Sequence, residues 1–358
     1  MDELLPLNLT ESKLLPGRLV IAGPCSAESP DSLLECSRLL AALGCASALR
    51  AGAWKPRTRP GSFEGYGAAA LPWLREASAS TGLPIGTEVA TPEHAKQAAE
   101  ADVDFLWIGA RTAANPFAMQ QLAEAIAYHC PDKAILVKNP LNPDIELWIG
   151  ALQRLYLAGV RRLGAIHRGF SVCDASPYRN APLWQIPLQL HRRFPKLPLL
   201  HDPSHTGGTR SLIAPLSQAA LDLGFDGLMI ECHPDPEQAM SDGGQQITPA
   251  ELADMLRRLR VRTGSRPDDA IDGLRLQIDE LDNQLLSILA RRMNLTDSIG
   301  RLKRDADMPA LQPARYSRLL FTLISRGEAA GLDTRFLHSL LETVHEESIR
   351  RQLLILNE

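Results

Sequence analysis

Along the first ~260 residues, short unbroken apolar runs alternate with longer stretches that have the three-to-four-residue rhythm of helices. The runs fall at 18–22, 46–51, 83–89, 105–109, 134–138, 163–167, 197–202 and 227–231, with helix-like stretches such as 92–101, 116–127 and 211–223 between them. Continuous apolar runs mark parallel strands buried on both faces, whereas a half-exposed antiparallel sheet alternates. Eight strands alternating with helices over ~250 residues predict a (β/α)8 TIM barrel. The rival doubly wound sheet calls for a G-x-G-x-x-G loop after the first strand, and the sequence has none there.

The rhythm then changes. From Arg260 to Asp272 the chain is charged and polar, with Gly264 and Pro267, and reads as a linker. The barrel is therefore assigned to residues 1–260, the linker to 261–272 and a second domain to 273–358. In that domain Leu274, Ile278, Leu281, Leu285, Ile288 and Leu289 recur every three or four residues, which predicts a long amphipathic helix to about Arg304. Pro309 and Pro313 break it, and a second helix (314–329) and a third (333–356) follow. The fold class is an α/β barrel followed by a small all-α three-helix domain. Three helices give a thin core, so the long first helix is expected to pack against a partner subunit.

Composition narrows the function classes. Lys+Arg 38 against Asp+Glu 42 gives a net charge of −4, which argues against a nucleic-acid or polyanion binder. No apolar stretch approaches the ~18 residues of a membrane span. An N-terminus with Asp2 and Glu3, and no basic region leading into an apolar one, predicts no secretory signal. The six cysteines show no C-x-x-C pair, which predicts a reduced, cytoplasmic protein.

In such a barrel the C-terminal strand ends face the active site. Reading them in order gives Cys25, Lys55-Pro56-Arg57-Thr58, Glu88, Arg111, Lys138, His167-Arg168, Asp202 to Gly208, and Glu231, with Asp242 shortly after. Cys25, His205, Glu231 and Asp242 offer one sulfur, one nitrogen and two carboxylates. That mixed set suits a divalent ion of the Mn, Fe, Co or Zn group better than Mg or Ca, with Mn favoured. Lys55, Arg57, Arg111, Lys138 and Arg168 form a cationic set suited to phosphates and carboxylates. Cys36, Cys45, Cys130 and Cys173 read as small core residues. Strand alternation points Glu231 and Cys232 to opposite sides. In the tail, Arg292 and Lys303 are eleven residues apart and share a helix face, as do Ser348 and Gln352. Periodicity alone reads these as a solvated charged stripe.

Taken together, GPCS, KPRT, GAR, HRG, DPSHTGG and the closing Glu-x-His-Pro…Ser-Asp-Gly run resemble the short-barrel branch of the 3-deoxy-D-arabino-heptulosonate 7-phosphate (DAHP) synthases over about residues 18–258. The resemblance implies condensation of phosphoenolpyruvate with erythrose 4-phosphate in the shikimate pathway. It implies that Cys25, His205, Glu231 and Asp242 hold the metal, and that Arg57, Arg111, Lys138 and Arg168 contact phosphoenolpyruvate. Lys55 to Thr58 would lie beside the sugar phosphate. Glu88 is the candidate acid/base or water-orienting residue, and Lys55 the candidate proton donor. Arg59 and Asn139-Pro140 depart from the family pattern, which more often has serine and Arg-Gly.

The tail resembles the all-helical chorismate mutases over about 272–356, through Leu274-Arg275-x-x-Ile278-Asp279-x-x-Asp282, Arg292, Ile299-Gly300-x-x-Lys303, Arg315 and Glu347-Ser348-Ile349-x-x-Gln352. The resemblance implies a homodimer through this domain, with a larger assembly open, in which Arg275 of one subunit enters the other's site. Arg275 and Arg292 would bind the carboxylates of chorismate, and Lys303 and Gln352 the ether oxygen. Arg315 and Ser348 would lie alongside, and prephenate would be the product. Tyr316 stands where glutamate is usual. The sequence thus predicts a bifunctional enzyme. One alternative is that the tail mainly senses chorismate or prephenate; another is that the barrel is a different metal-dependent sugar-phosphate aldolase.

Overall fold

The computed structural model describes residues 1, 3–56, 61–172, 177–262 and 269–357, without the side chains of 269–270 and 313–315. The chain divides into two compact units, Met1–Thr263 and Gly264–Glu358.

In the first unit eight strands close a barrel in sequential order: β1 Leu19–Gly23, β2 Ala48–Arg50, β3 Ile85–Val89, β4 Phe105–Ile108, β5 Ala134–Lys138, β6 Leu163–His167, β7 Leu199–His201 and β8 Gly227–Glu231. All pairings are parallel, and β1 closes on β8 from Leu19↔Gly227 to Gly23↔Glu231. The expected (β/α)8 architecture is present, and its strands fall within or beside the apolar runs. Alternation divides the buried residues into two layers. Ile21, Phe105, Trp107, Leu136, Ile166, Leu200 and Met229 fill the barrel interior, while Val20, Ala22, Ile108, Val137 and Leu228 face the surrounding helices. Leu7, from the segment before β1, joins the interior group.

A cap-plus-proline dipeptide starts five of the barrel helices: Ser29-Pro30, Thr91-Pro92, Asn115-Pro116, Asp202-Pro203 and Thr248-Pro249. In each, the cap side chain accepts from a backbone N–H of the first turn, and proline occupies the position where no N–H is needed. These five prolines therefore aim helices and do not break them.

The second unit holds the helices Asp269–Asp305, Pro313–Ala329 and Thr334–Leu356. The first runs 37 residues, or about 55 Å at 1.5 Å per residue. Along it Leu274, Ile278, Leu281, Leu285 and Ile288 are all exposed within the single chain. Among the described residues no helix is long and apolar enough to cross a membrane.

Gly86 tests the interior packing. A Cβ there would lie 2.3 Å from the Phe105 ring. Gly86→Ala is expected to destabilise the barrel by about 1–3 kcal/mol through overpacking. Urea denaturation read out by tryptophan fluorescence measures it, and an unchanged midpoint would contradict this packing.

Candidate active sites

The mouth of the barrel gathers a buried charged cluster at the ends of β1 and β8. Ligand atoms of Cys25, Glu231 and Asp242 lie within 4.8 Å of one another. His205 stands beside this group, with Nε2 3.8 Å from Glu231 Oε1. Asp242 adopts φ 52°, in the left-handed region that Asp tolerates better than most residues, and the Cys25 thiol donates to its Oδ2 at 3.3 Å.

The sequence places each group for a local reason. Asp202 caps the Pro203–Gly207 turn by accepting from the His205 N–H at 3.0 Å. Its other oxygen lies 2.8 Å from His205 Nδ1 and accepts from Lys138 Nζ at 2.8 Å. A carboxylate on one ring nitrogen fixes the imidazole so that the other faces the cluster. Gln246 ties the loops that carry Cys25 and Asp242, accepting from the Cys25 N–H and donating to Ser241 O. Glu28 does the same from outside: it accepts from Ser26 Oγ at 3.3 Å, Ser241 Oγ at 3.4 Å and the Met240 N–H at 2.9 Å.

Burial raises the Cys25 thiol to about 12, with the Glu231 charge adding to the shift. Burial alone would also raise Glu231, but His205, Arg50 and Lys55 outweigh it and hold the carboxyl down at about 2. Asp242 is likewise lowered against burial by His205, Lys55 and Arg179. Desolvation lowers the pKa of His205 and favours the neutral imidazole. A neutral imidazole, two ionised carboxylates and a sulfur at these separations fit the shell of a borderline divalent ion.

Beside the cluster lies a cavity lined by Lys55, Glu88, Arg111, Lys138, Arg168 and Arg179, with His205 and Asp242 in its wall. Lys55 is buried and donates to Cys25 Sγ at 2.9 Å and to Cys25 O at 3.1 Å. Arg168 is buried with one guanidinium nitrogen unpartnered, and desolvation lowers its pKa to about 10. A buried cation with a free N–H beside other cations is a site for an anion. Glu88 accepts from Trp107 Nε1 at 3.0 Å, and its other oxygen lies where a Cβ on Gly109 would sit, 2.3 Å away. Glycine in the GAR sequence is what admits that carboxylate.

Of the residues singled out from sequence, this region brings together Cys25, Lys55, Glu88, Arg111, Lys138, Arg168, His205, Glu231 and Asp242. Arg57 and Thr58 lie outside the described residues. Cys36, Cys45, Cys130 and Cys232 are buried, and Cys173 is outside the description. Asp202 was placed at a strand end by the sequence but given no role there, and Arg50, Gln245 and Arg179 were missed. Arg50 donates to Glu231 at 3.0 Å from full burial and lies 5.0 Å over the Trp107 ring; its signal was a charge inside an apolar strand. Asp202 was marked by the cap-proline pair. Gln245 donates to Glu231 at 2.6 Å, and Arg179 to Asp242 at 3.1 Å and to Gln245 at 2.7 Å; neither belongs to a periodic pattern.

The helical unit has its own cavity, lined by Arg292, Lys303, Tyr316, His345, Ser348 and Gln352 among others. Arg292 donates to Ser348 Oγ, and Lys303 to Gln352 Oε1 at 2.8 Å and to Ala310 O. Arg275 is absent from this cavity, exposed and paired with Asp272 at 2.9 Å. The side chain of Arg315 is not described. The solvated-stripe reading fails for Ser348 and Gln352, which are buried.

A closed parallel barrel with its polar cluster at the C-terminal mouth is the architecture of a (β/α)8 enzyme. The chain belongs to the DAHP synthetase I family, whose model matches residues 16–263. Residues 274–353 match the chorismate mutase type II model, so the two families are fused in one chain. The chain is 36% identical over 228 residues to a phospho-2-dehydro-3-deoxyheptonate aldolase of Thermotoga maritima, a match that spans 64% of each protein. A 2-dehydro-3-deoxyphosphooctonate aldolase of Nitratidesulfovibrio vulgaris is 29% identical over 69% of this chain and 93% of its own. The crystal structure of the Thermotoga maritima DAHP synthase superposes with a TM-score of 0.63 at 34% identity, covering 71% of this chain and 72% of that one.

The charge compensation around Glu231 is measurable. Glu231→Gln leaves Arg50 buried without its counter-charge, at an expected cost of about 3–5 kcal/mol at neutral pH. A carboxyl held at about 2 in the folded state, below its ordinary value of 4.5, stabilises fully above that value and loses the contribution as pH falls towards 2. The stability gap between wild type and variant, from urea denaturation, should therefore narrow across that acidic range; a gap independent of pH would contradict the assignment.

Proposed function

We propose that the chain is a bifunctional enzyme in which the barrel condenses phosphoenolpyruvate with erythrose 4-phosphate and the helical unit rearranges chorismate to prephenate. The observation that carries the reading is the convergence, at one barrel mouth, of a thiol, an imidazole and two carboxylates with a buried cationic cavity. Cys25, His205, Glu231 and Asp242 would hold a divalent ion of the Mn, Fe, Co or Zn group, with manganese favoured. Such an ion supplies Lewis-acid polarisation of the aldehyde oxygen.

The protein's own groups do the rest. Arg168, Arg111 and Lys138 would hold the phosphate and carboxylate of phosphoenolpyruvate, and their fixed positions supply orientation and charge stabilisation. Arg57 and Thr58 would meet the sugar phosphate. Glu88, with one oxygen tied to Trp107, would use the other to orient the water that captures the electron-poor carbon. Lys55 would deliver a proton to the new alkoxide. The cluster and cavity alone leave the aldose open, as the name of the phosphooctonate aldolase relative shows. The higher identity to the heptonate enzyme and the fused chorismate mutase domain favour the four-carbon sugar and a seven-carbon product.

In the helical unit, Arg292 would bind a carboxylate, and Lys303 and Gln352 the ether oxygen where charge develops. Ser348 and Arg315 would lie alongside. A unimolecular rearrangement needs a compact bound conformer and fixed donors, and no nucleophile. Arg275 would reach the cavity from a second copy. The exposed apolar row along the 37-residue helix supports a homodimer formed through this unit. The free, buried cysteines support a cytoplasmic location.

A paired assay tests both halves. Verified removal of bound metal with a chelator should abolish phosphate release from phosphoenolpyruvate and erythrose 4-phosphate and leave chorismate turnover intact. Arg292→Ala should do the reverse, lowering chorismate turnover about 100-fold or more while condensation persists. Full condensation after stripping would defeat the metal assignment. Wild-type turnover no faster than that of Arg292→Ala would leave the helical unit a sensor.

A further inference from the structure

Chorismate carries two carboxylates, an ether oxygen and one ring hydroxyl. The reading above gives partners to the first three and none to the hydroxyl. A hydroxyl buried without a partner costs affinity, so the cavity should contain a group that meets it.

The cavity holds one candidate on geometric grounds. His345, Ser348, Ile349 and Gln352 stand three, four and seven residues apart on the Thr334–Leu356 helix, and all line the cavity. Ser348 and Gln352 are engaged: Ser348 accepts from Arg292 and donates to Val344 O at 2.8 Å, and Gln352 accepts from Lys303 at 2.8 Å. Among the described residues lining this cavity, the buried side-chain atom with no hydrogen-bond partner is His345 Nε2. The ring cannot swing freely, because it stacks face to face on Tyr316 with centroids 3.8 Å apart and planes 16° from parallel. Tyr316 comes from the Pro313–Ala329 helix, so the stack also fixes the ring between two helices. Burial, with Arg292 and Lys303 nearby, lowers the imidazole's pKa and leaves it neutral, able to donate or accept at that nitrogen.

We propose that His345, clamped by Tyr316, hydrogen-bonds the ring hydroxyl of chorismate through Nε2 and is a specificity-determining residue of the mutase site. This rests on the mutase reading of the helical unit. The stacked pair then does what a single polar side chain would otherwise do: Tyr316 holds the ring and His345 makes the contact.

The test compares two substrates, chorismate and an analogue with hydrogen in place of the ring hydroxyl, in the full-length protein. His345→Phe keeps a flat ring for Tyr316 and loses the nitrogen. It should lower kcat/KM for chorismate about 10- to 100-fold, yet match wild type on the analogue within about twofold. His345→Gln, which restores a polar atom, should recover part of the loss on chorismate alone. A parallel fall on both substrates would show a merely structural role and overturn the proposal, as would full activity of His345→Phe on chorismate. If His345→Phe fails to fold, judged by thermal melting of its helical signal, His345→Gln decides by the same comparison. A wild-type protein that does not turn over chorismate faster than Arg292→Ala would instead sink the mutase reading itself, and the proposal with it.

Discussion

Everything at the barrel mouth depends on keeping a fully buried carboxylate, Glu231, ionised. Out of water that state is costly, and the structure offsets the cost with Arg50 beneath it, Gln245 across from it and the cationic groups of the cavity around it. The same groups set the rest of the site. Arg50 is itself buried and must stay paired, so β2 cannot give it up. Lys138 must meet Asp202, and Asp202 in turn orients His205. The mouth is thus a single electrostatic unit in which anions and cations are paired: Glu231 with Arg50, Asp202 with Lys138 and Asp242 with Arg179.

The two units solve the problem of preorganisation differently. The barrel draws its functional groups from eight strand ends, and their positions are set by a packed interior and by helix caps. The helical unit draws on three helices that bury little of their long first member. Its cavity is formed by facing helices, while Arg275, paired with Asp272, and the apolar row beside it are exposed. In the proposed dimer a second copy would complete the one and cover the other, and folding and site assembly would then be coupled in this unit.

Much of this was legible in the sequence because parallel strands buried on both faces leave uninterrupted apolar runs. Three of the runs, 134–138, 163–167 and 227–231, coincide with their strands; the ends of others shift by one or two residues. The first helix begins at Asp269, ahead of its apolar rhythm, because the opening turn needs no buried face. Site residues at strand ends were legible because position alone predicts their direction. Arg179 and Gln245 were not, since irregular loops carry no period from which a direction can be read. His345 falls between these cases: it shares a face with Ser348 and Gln352, but a lone histidine on a helix gains meaning only once Tyr316 is seen stacked on it.

In the proposed barrel site one sulfur, one imidazole and two carboxylates would converge on a single divalent ion. X-ray absorption on the manganese- or cobalt-loaded protein measures that shell directly. The expected result is one ion per chain with a sulfur neighbour at about 2.3 Å among oxygen and nitrogen ligands, and loss of the sulfur signal in Cys25→Ser. A shell of oxygen and nitrogen only in the wild type, or a sulfur signal that survives the loss of Cys25, would contradict it.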